Sequence, residues 1–474
     1  MLPSSLLEPP MSDYATDDSL GQAMFGHAEL GDARRTERLV ATFDRFRSHP
    51  GGTLPDKLSS PADLKALYRL CACEMVTHAA LIAAARTYTL ERLAQHAGPV
   101  LVLHDATELD YSTLHSLKDQ LGQIGQGHGH GYICHNVLAV DAETGEVLGL
   151  LDQILHHRVR APKRENLAKH RNRKSRESLL WVQGTAELPS ERQLIDVADQ
   201  GASTFEFLEH EVRSGRRFVI RNGKPRKVYA GHQAQGEHVF LQDHVEGLLE
   251  LGRFTMDVQA QKGRQARRAA EFAVRGGPIL LLPPHAKRGH HGNDPLPMYV
   301  VSIREVQPPK GEKRIEWMLL TNEPVRNERD AWRIANWYER RWIIEEYHKG
   351  MKTGCGIECL QFEATDRLEP AIALLSAVAL TLLNLRDATR RADADTRRAS
   401  ILYPTEYVEL LSQWRYGQSR SLTIQEFSLA LGRLGGHQNR KHDGQPGWLV
   451  LWRGWTKLQS MVHGYLTTHR KRCG

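Results

Sequence analysis

Apolar and polar positions change rhythm several times along this chain, and each change marks a predicted element. From "HAELGDARRTERLV" to about residue 95 the apolar positions recur at helical spacing. Asp32 is placed to cap a helix that carries Arg34, Arg35 and Arg38, and further helices follow "SSPADLKALYRL". The pattern predicts a small helical domain with one basic face over residues 19–95, after a loose polar segment at 1–18. At "GPVLVLHDATELDY" the rhythm changes, because Val100 to Leu103 form an apolar run ended by polar residues, as in a buried strand. "GYICHNVLAV" and "GEVLGLLDQIL", joined by the turn-like "DAETG", predict a hairpin.

Ser178 to Ala186 reads as helix, "RQLIDVADQG" as a second buried strand ending in an aspartate, "STFEFLEHEV" as helix and "RRFVIRN" as strand. Three neighbouring strands followed by alternating helix and strand predict a mixed α/β sheet. From about 224 to 322 the chain is mostly strand, broken by turn-rich pieces such as "PPHAKRGHHGNDPLP", and reads as a β-rich insertion. The expected organisation is therefore 1–18, 19–95, 96–365 with that insertion inside it, and a helical segment at 366–474 ending in the basic "HRKRCG".

Two aspartates, Asp105 and Asp199, each end a predicted buried strand. Ligands gather at that edge of sheets with parallel strands, so neighbouring strands can bring both carboxylates together. Strand-end caps and turn residues are the plainer reading, since aspartate is common in turns. Asp196, three residues before Asp199, is the weaker candidate. A third acid comes from "WYERRWIIEEYHKGMKTGCG", residues 337–356, which reads as one helix. Tyr338, Arg341, Glu345, Lys349 and Lys352 would fall within an arc of roughly 80° on a regular helix. A solvated face with a Glu345–Lys349 pair would also explain the spacing. Three carboxylates can, however, hold two Mg²⁺ ions, which prefer oxygen ligands, with Mn²⁺ as a substitute. Two such ions can activate an attacking oxygen and stabilise a leaving one in phosphodiester cleavage. Cations beside Glu345 would then seat phosphates, and the aromatics would stack on an unpaired base.

Composition narrows the partners. The 474 residues carry a formal net charge of +7, and the composition, 41% hydrophobic and 25% charged, is that of a globular protein. A basic balance favours a polyanionic partner. Six cysteines in so long a chain are no disulfide framework, and the first residues lack a signal peptide's basic and apolar regions. Ala371 to Leu385, the most apolar run, reads as a buried helix rather than a membrane span. A cytoplasmic location without membrane attachment is expected. His128, His130, Cys134, His135, Cys355 and Cys359 do not match a standard zinc spacing. Residues 156–176 hold nine arginines and lysines against the single acid Glu165 and are expected to track phosphates. "RSGRRFVIRNGKPRK" and "QKGRQARR" are expected to add backbone contacts.

The spacing Y-x2-R-x3-E-x3-K-x2-K, met by Tyr338, Arg341, Glu345, Lys349 and Lys352 without a mismatch, resembles the signature of the DDE transposases of bacterial insertion sequences, in the Tn-five-like, IS-four branch. "LVLHDATELDY" and "LIDVADQGA" are similar to that family's two aspartate blocks, which gives Asp105 and Asp199. "ELGDARRTERLV" and "ALYRL" are similar to its end-binding segments, which would put Arg34, Arg35, Arg38 and Arg69 on transposon-end DNA. "PPKGEKRIEWMLLTNEP" resembles the end of its β insertion, where Trp317 matches a tryptophan that holds a flipped base. "LGRLGG" and "WLVLWRGWTKLQS" are similar to its C-terminal dimerisation region.

The resemblance implies a ribonuclease-H-like mixed-sheet core flanked by an N-terminal helical DNA-binding domain and a C-terminal helical dimerisation domain. It implies cut-and-paste chemistry by a homodimer on terminal inverted repeats and target DNA, in a bacterial cytoplasm at the nucleoid. In that scheme Asp105, Asp199 and Glu345 are catalytic and bind two Mg²⁺, while Tyr338, Arg341, Lys349 and Lys352 grip terminal phosphates. Cleavage would pass through a hairpin. Two other readings stay open: an inactive relic that represses an element's ends, and a plain metal-dependent nuclease.

Overall fold

The computed structural model describes residues 19–58, 60–159, 173, 175–189, 193–258, 268–284, 291–440 and 443–470. Segment 1–18, most of the basic run 156–176, nearly all of "QKGRQARR" and the last four residues lie outside the described residues. The chain divides into two compact units, one formed by the first 94 residues together with 346–474, the other by Gln95–Glu345.

In the first unit, helix Ala33–Ser48 starts where Asp32 accepts a hydrogen bond from the Arg34 amide at 2.9 Å, and its Leu39, Phe43 and Phe46 face the interior. Helix Thr365–Arg390 packs against helices His78–Ala94, Ala33–Ser48 and Trp448–Arg470. It is long and apolar enough to cross a membrane, but 83% of its apolar window is buried inside the unit, so it serves as a core helix.

The second unit is built on one mixed sheet. Its strands, in chain order, are β1 Val100–Asp110, β2 Gly122–Ile124, β3 Gly129–Asp141, β4 Val147–His156, β5 Leu194–Ala198, β6 Arg217–Arg221, β7 Lys227–Ala230, β8 Val239–Phe240, β9 Glu250–Val258, β10 Arg268–Leu281, β11 Leu296–Glu305 and β12 Glu316–Thr321. β4 and β3 form an antiparallel meander onto β1; β5 lies parallel to β1, and β6 parallel to β5. The predicted insertion is no separate layer, because β12 pairs antiparallel with β6 and carries β11, β10, β7 and β8 outward as one continuous sheet.

Alternation sorts the side chains of the central strands. Ala198, Phe218, Ile220 and Leu320 pack with Phe205, Phe207 and Leu208, the last three from helix Phe205–Arg213. On that same face lies a buried polar chain. His104 Nε2 meets Asp196 Oδ1 at 2.8 Å, and Arg216 clamps Asp196 through Nε at 2.7 Å and Nη2 at 3.1 Å. Glu211 stands 4.0 Å from Arg216 Nε, and both its oxygens are buried without a hydrogen-bond partner. Burial alone would raise the Asp196 carboxyl, but the His104 hydrogen bond and the Arg216 charge hold it below the usual range. Burial and the Asp196 charge push the Glu211 carboxyl well above it. Asp196 is thus a fully buried strut across β1, β5 and β6.

Several residues of the basic cluster 213–227, expected on DNA, serve inside the fold. Arg216 holds Asp196, Arg217 makes a two-pronged bond to Glu323, and Arg226 donates to the Ser203 carbonyl. Facing acids and carbonyls of neighbouring elements, distant in sequence, explain the difference.

Candidate functional site

On the other sheet face the odd-numbered positions gather the acids. Register pairs Leu103 with Val197 and His104 with Ala198, where the β1–β5 ladder stops. Asp105 and Asp199 are therefore the next residues on two parallel neighbours. β1 continues, paired with β3, to Asp110, so Asp105 lies at the point where β1 parts from β5 rather than at a strand end. Asp199 leaves β5 in extended conformation and caps a short turn by accepting from the Gly201 amide at 2.7 Å.

The predicted single helix is in fact broken. Helix Glu328–Glu339 ends before Arg340, helix Trp342–Lys349 follows, and the chain then widens into a π-helical turn at Gly350–Gly354. At the break, Arg341, Ile343 and Ile344 donate backbone hydrogen bonds to the carbonyls three residues earlier. Such tightened steps turn the chain further per residue than an α-helix does, so the five signature residues do not share one regular arc.

Arg341 sits at this break with its guanidinium between two acids. Its Nη1 lies 2.9 Å from Asp105 Oδ2 and 3.4 Å from Glu345 Oε1. Oxygens of Asp105 and Glu345 approach within 4.8 Å of one another. Burial pushes the Asp105 carboxyl up to about 7; Arg341 opposes this, while the charges of Glu345 and Asp199 add to it. The Asp105 carboxyl thus senses the charges of both Glu345 and Asp199. Asp105 and Glu345 present carboxylate oxygens close enough to share a cation. Hard oxygen donors of this kind suit Mg²⁺ or Mn²⁺.

Aromatic residues flank the acids. Tyr338 is buried, hydrogen-bonded to Arg221, and edge-on to the half-buried Trp317 of β12, with ring centroids 5.3 Å apart. Burial raises the Tyr338 hydroxyl above its ordinary value. The Arg341 guanidinium lies 5.2 Å from the centroid of Trp342, a residue 57% exposed. Sequence reasoning placed Arg221 only among general backbone contacts and did not single out Trp342; the second was visible beside Arg341, whereas the first is brought in by strand pairing. Lys349 is exposed on the helix that carries Glu345, and Lys352, in the π turn, pairs with Glu358 at 3.2 Å.

The N-terminal arginines divide. Arg34 is 87% exposed and paired with Asp32, Arg35 donates to the Leu30 carbonyl at 2.8 Å, and Arg38 and Arg45 share Asp63. Arg69 is exposed on helix Pro61–Cys71. Arg34 and Arg38 are thus exposed but carry an acid partner, Arg69 is exposed, and Arg35 is tied to its own loop.

Residues 18–76 match the family model described as transposase DNA-binding. That segment contains all five of these arginines and ends beyond helix Pro61–Cys71. The match supports a transposase and DNA as its partner.

Proposed function

We propose that this chain is a DDE transposase of the Tn-five-like branch that excises a bacterial insertion sequence and joins its ends to target DNA. The observation that carries the reading is the meeting of Asp105, Glu345 and Arg341 at the parting of β1 and β5, with Asp199 on the neighbouring strand. The strand order β4–β3–β1–β5–β6, with β3 alone reversed against the rest, supports a ribonuclease-H-like core.

In this reading Asp105, Asp199 and Glu345 would hold two Mg²⁺, which supply activation of the attacking oxygen and stabilisation of the leaving one. The protein's own residues do the rest. Arg341 shields the mutual repulsion of Asp105 and Glu345 and presents its other N–H groups to a terminal phosphate. The Tyr338 hydroxyl, held protonated, donates beside it, and Lys349 and Lys352 add cationic reach along the strand. Trp317, braced by Tyr338, offers a stacking surface to a base turned out of the duplex. Arg34, Arg38 and Arg69 contact the end DNA from the N-terminal unit, and a homodimer pairs two ends.

The test is cleavage of DNA carrying the element's own terminal repeats, with strand products resolved on a denaturing gel in Mg²⁺ and in EDTA. Mg²⁺-dependent nicks followed by hairpin products are expected. Tight end binding without cutting in Mg²⁺ or Mn²⁺ would favour a repressor, and nicks that never proceed to hairpins or strand transfer would favour a plain nuclease.

A further inference from the structure

The sheet face turned away from Trp317 carries a second cationic cluster, made by β9, β10 and β11. Register sets Arg275 of β10 opposite Glu250 of β9, and Ala273 between Arg253 and Arg304. Arg304 also lies opposite Glu316, the neighbour of Trp317, so alternation points Arg304 and Trp317 to opposite faces. With Arg314 from the β11–β12 connection, Arg253, Arg275 and Arg304 line a cavity of about 210 Å³ whose acids are Glu250 and Glu305.

Both acids are already engaged. Glu250 pairs with Arg253, and Glu305 takes Arg268 at 2.7 Å. Arg304 is held by Glu246 at 2.9 Å. Among the described residues, Arg275 and Arg314 have no hydrogen-bond or ion-pair partner, and the Nε groups of Arg275 and Arg304 are buried without an acceptor. A buried donor left unmet, in a cavity where four arginines face two acids that are already paired, is suited to an oxyanion. Arginine forks match the oxygens of a phosphate, which can take two such donors at once.

We propose that this cavity binds a phosphate group, anchored by Arg275 and met at the rim by Arg314. The favoured source is a backbone phosphate of DNA lying on this face of the sheet, which rests on the transposase reading above. The phosphate chemistry itself does not depend on that reading.

The full-length chain and its Arg275→Gln, Arg314→Gln and double variants would be titrated with a non-specific DNA duplex between about 50 and 200 mM salt. Removing one arginine from a bound phosphate should make the slope of log affinity against log salt shallower by about one, with the thermal midpoint unchanged. Calorimetry with sodium tripolyphosphate forms the second arm. An unchanged DNA slope together with tripolyphosphate binding that disappears in Arg275→Gln would assign the cavity to a free polyphosphate. An unchanged slope and no tripolyphosphate binding above that of the double variant would overturn the site. The slopes are read in EDTA, where no cleavage occurs, so failure of the cleavage chemistry and failure of this site are read separately.

Discussion

Asp199→Ala is expected to abolish end cleavage while leaving end binding intact. The side chain lies beyond the β1–β5 ladder and supports the backbone by accepting a hydrogen bond from the Gly201 amide. Its removal costs a local cap and spares the core. Chemically the effect is larger if Asp199 is one of the three acids proposed to hold the metals, because the developing charge on the scissile phosphate would then be left without its compensation. Removal of a single charge-stabilising group lowers rates by on the order of 10²–10³. With the metal centre itself disrupted, a fall of at least about 10³-fold is expected, read as single-turnover strand cleavage beside an electrophoretic binding assay. Cleavage within tenfold of wild type would remove Asp199 from the site and, with it, the grouping of all three acids.

Arg216→Met is expected to give the largest drop in stability. It leaves the Asp196 carboxylate fully buried, with His104 as its remaining partner. Stranding one member of a buried ion pair costs about 3–5 kcal/mol. Glu211→Gln should be tolerated within about 1 kcal/mol, because burial already favours the uncharged form of that carboxyl and the amide keeps its shape and neutrality. The pH dependences have opposite signs. The Glu211 carboxyl is raised in the fold, so its contribution is fully present below its unfolded value and is lost as pH rises toward the folded one. The Asp196 carboxyl is lowered, so its contribution is present above its unfolded value and lost as pH falls. Urea unfolding of wild type and both variants across pH checks the pair of effects. Equal midpoints for wild type and Arg216→Met would show that the buried chain is not a strut.

How much of this was legible depended on whether the signal was local. Val100–Leu103 and Leu194–Ala198 announced buried strands through apolar runs, and the aspartates just beyond them were visible at once. Parity also separates Asp196 from Asp199. Three residues apart on or beside one strand, they turn to opposite faces, and the even positions are those that pack against Phe207 and Phe218. The break at Arg340 and Arg341 left no mark, since every residue there is an acceptable helix former and the tightening is set by the pairing of Arg341 with Asp105, 236 positions away. Likewise the β12–β6 pairing, which merges the insertion with the central sheet, joins residues about a hundred positions apart. Within the cluster 213–227, Arg216, Arg217 and Arg226 meet acids and a carbonyl of the fold for the same reason: their partners are not in the local sequence.

Mn²⁺ binding followed by electron paramagnetic resonance, on the protein bound to its own terminal repeat, tests most directly whether the three acids form a binuclear metal site that acts on DNA. Wild type should take up two Mn²⁺ per chain with the spectrum of a coupled pair, and Asp199→Ala and Glu345→Ala should each lose at least one ion and the coupling. Identical uptake and spectra in wild type and both variants would contradict the account.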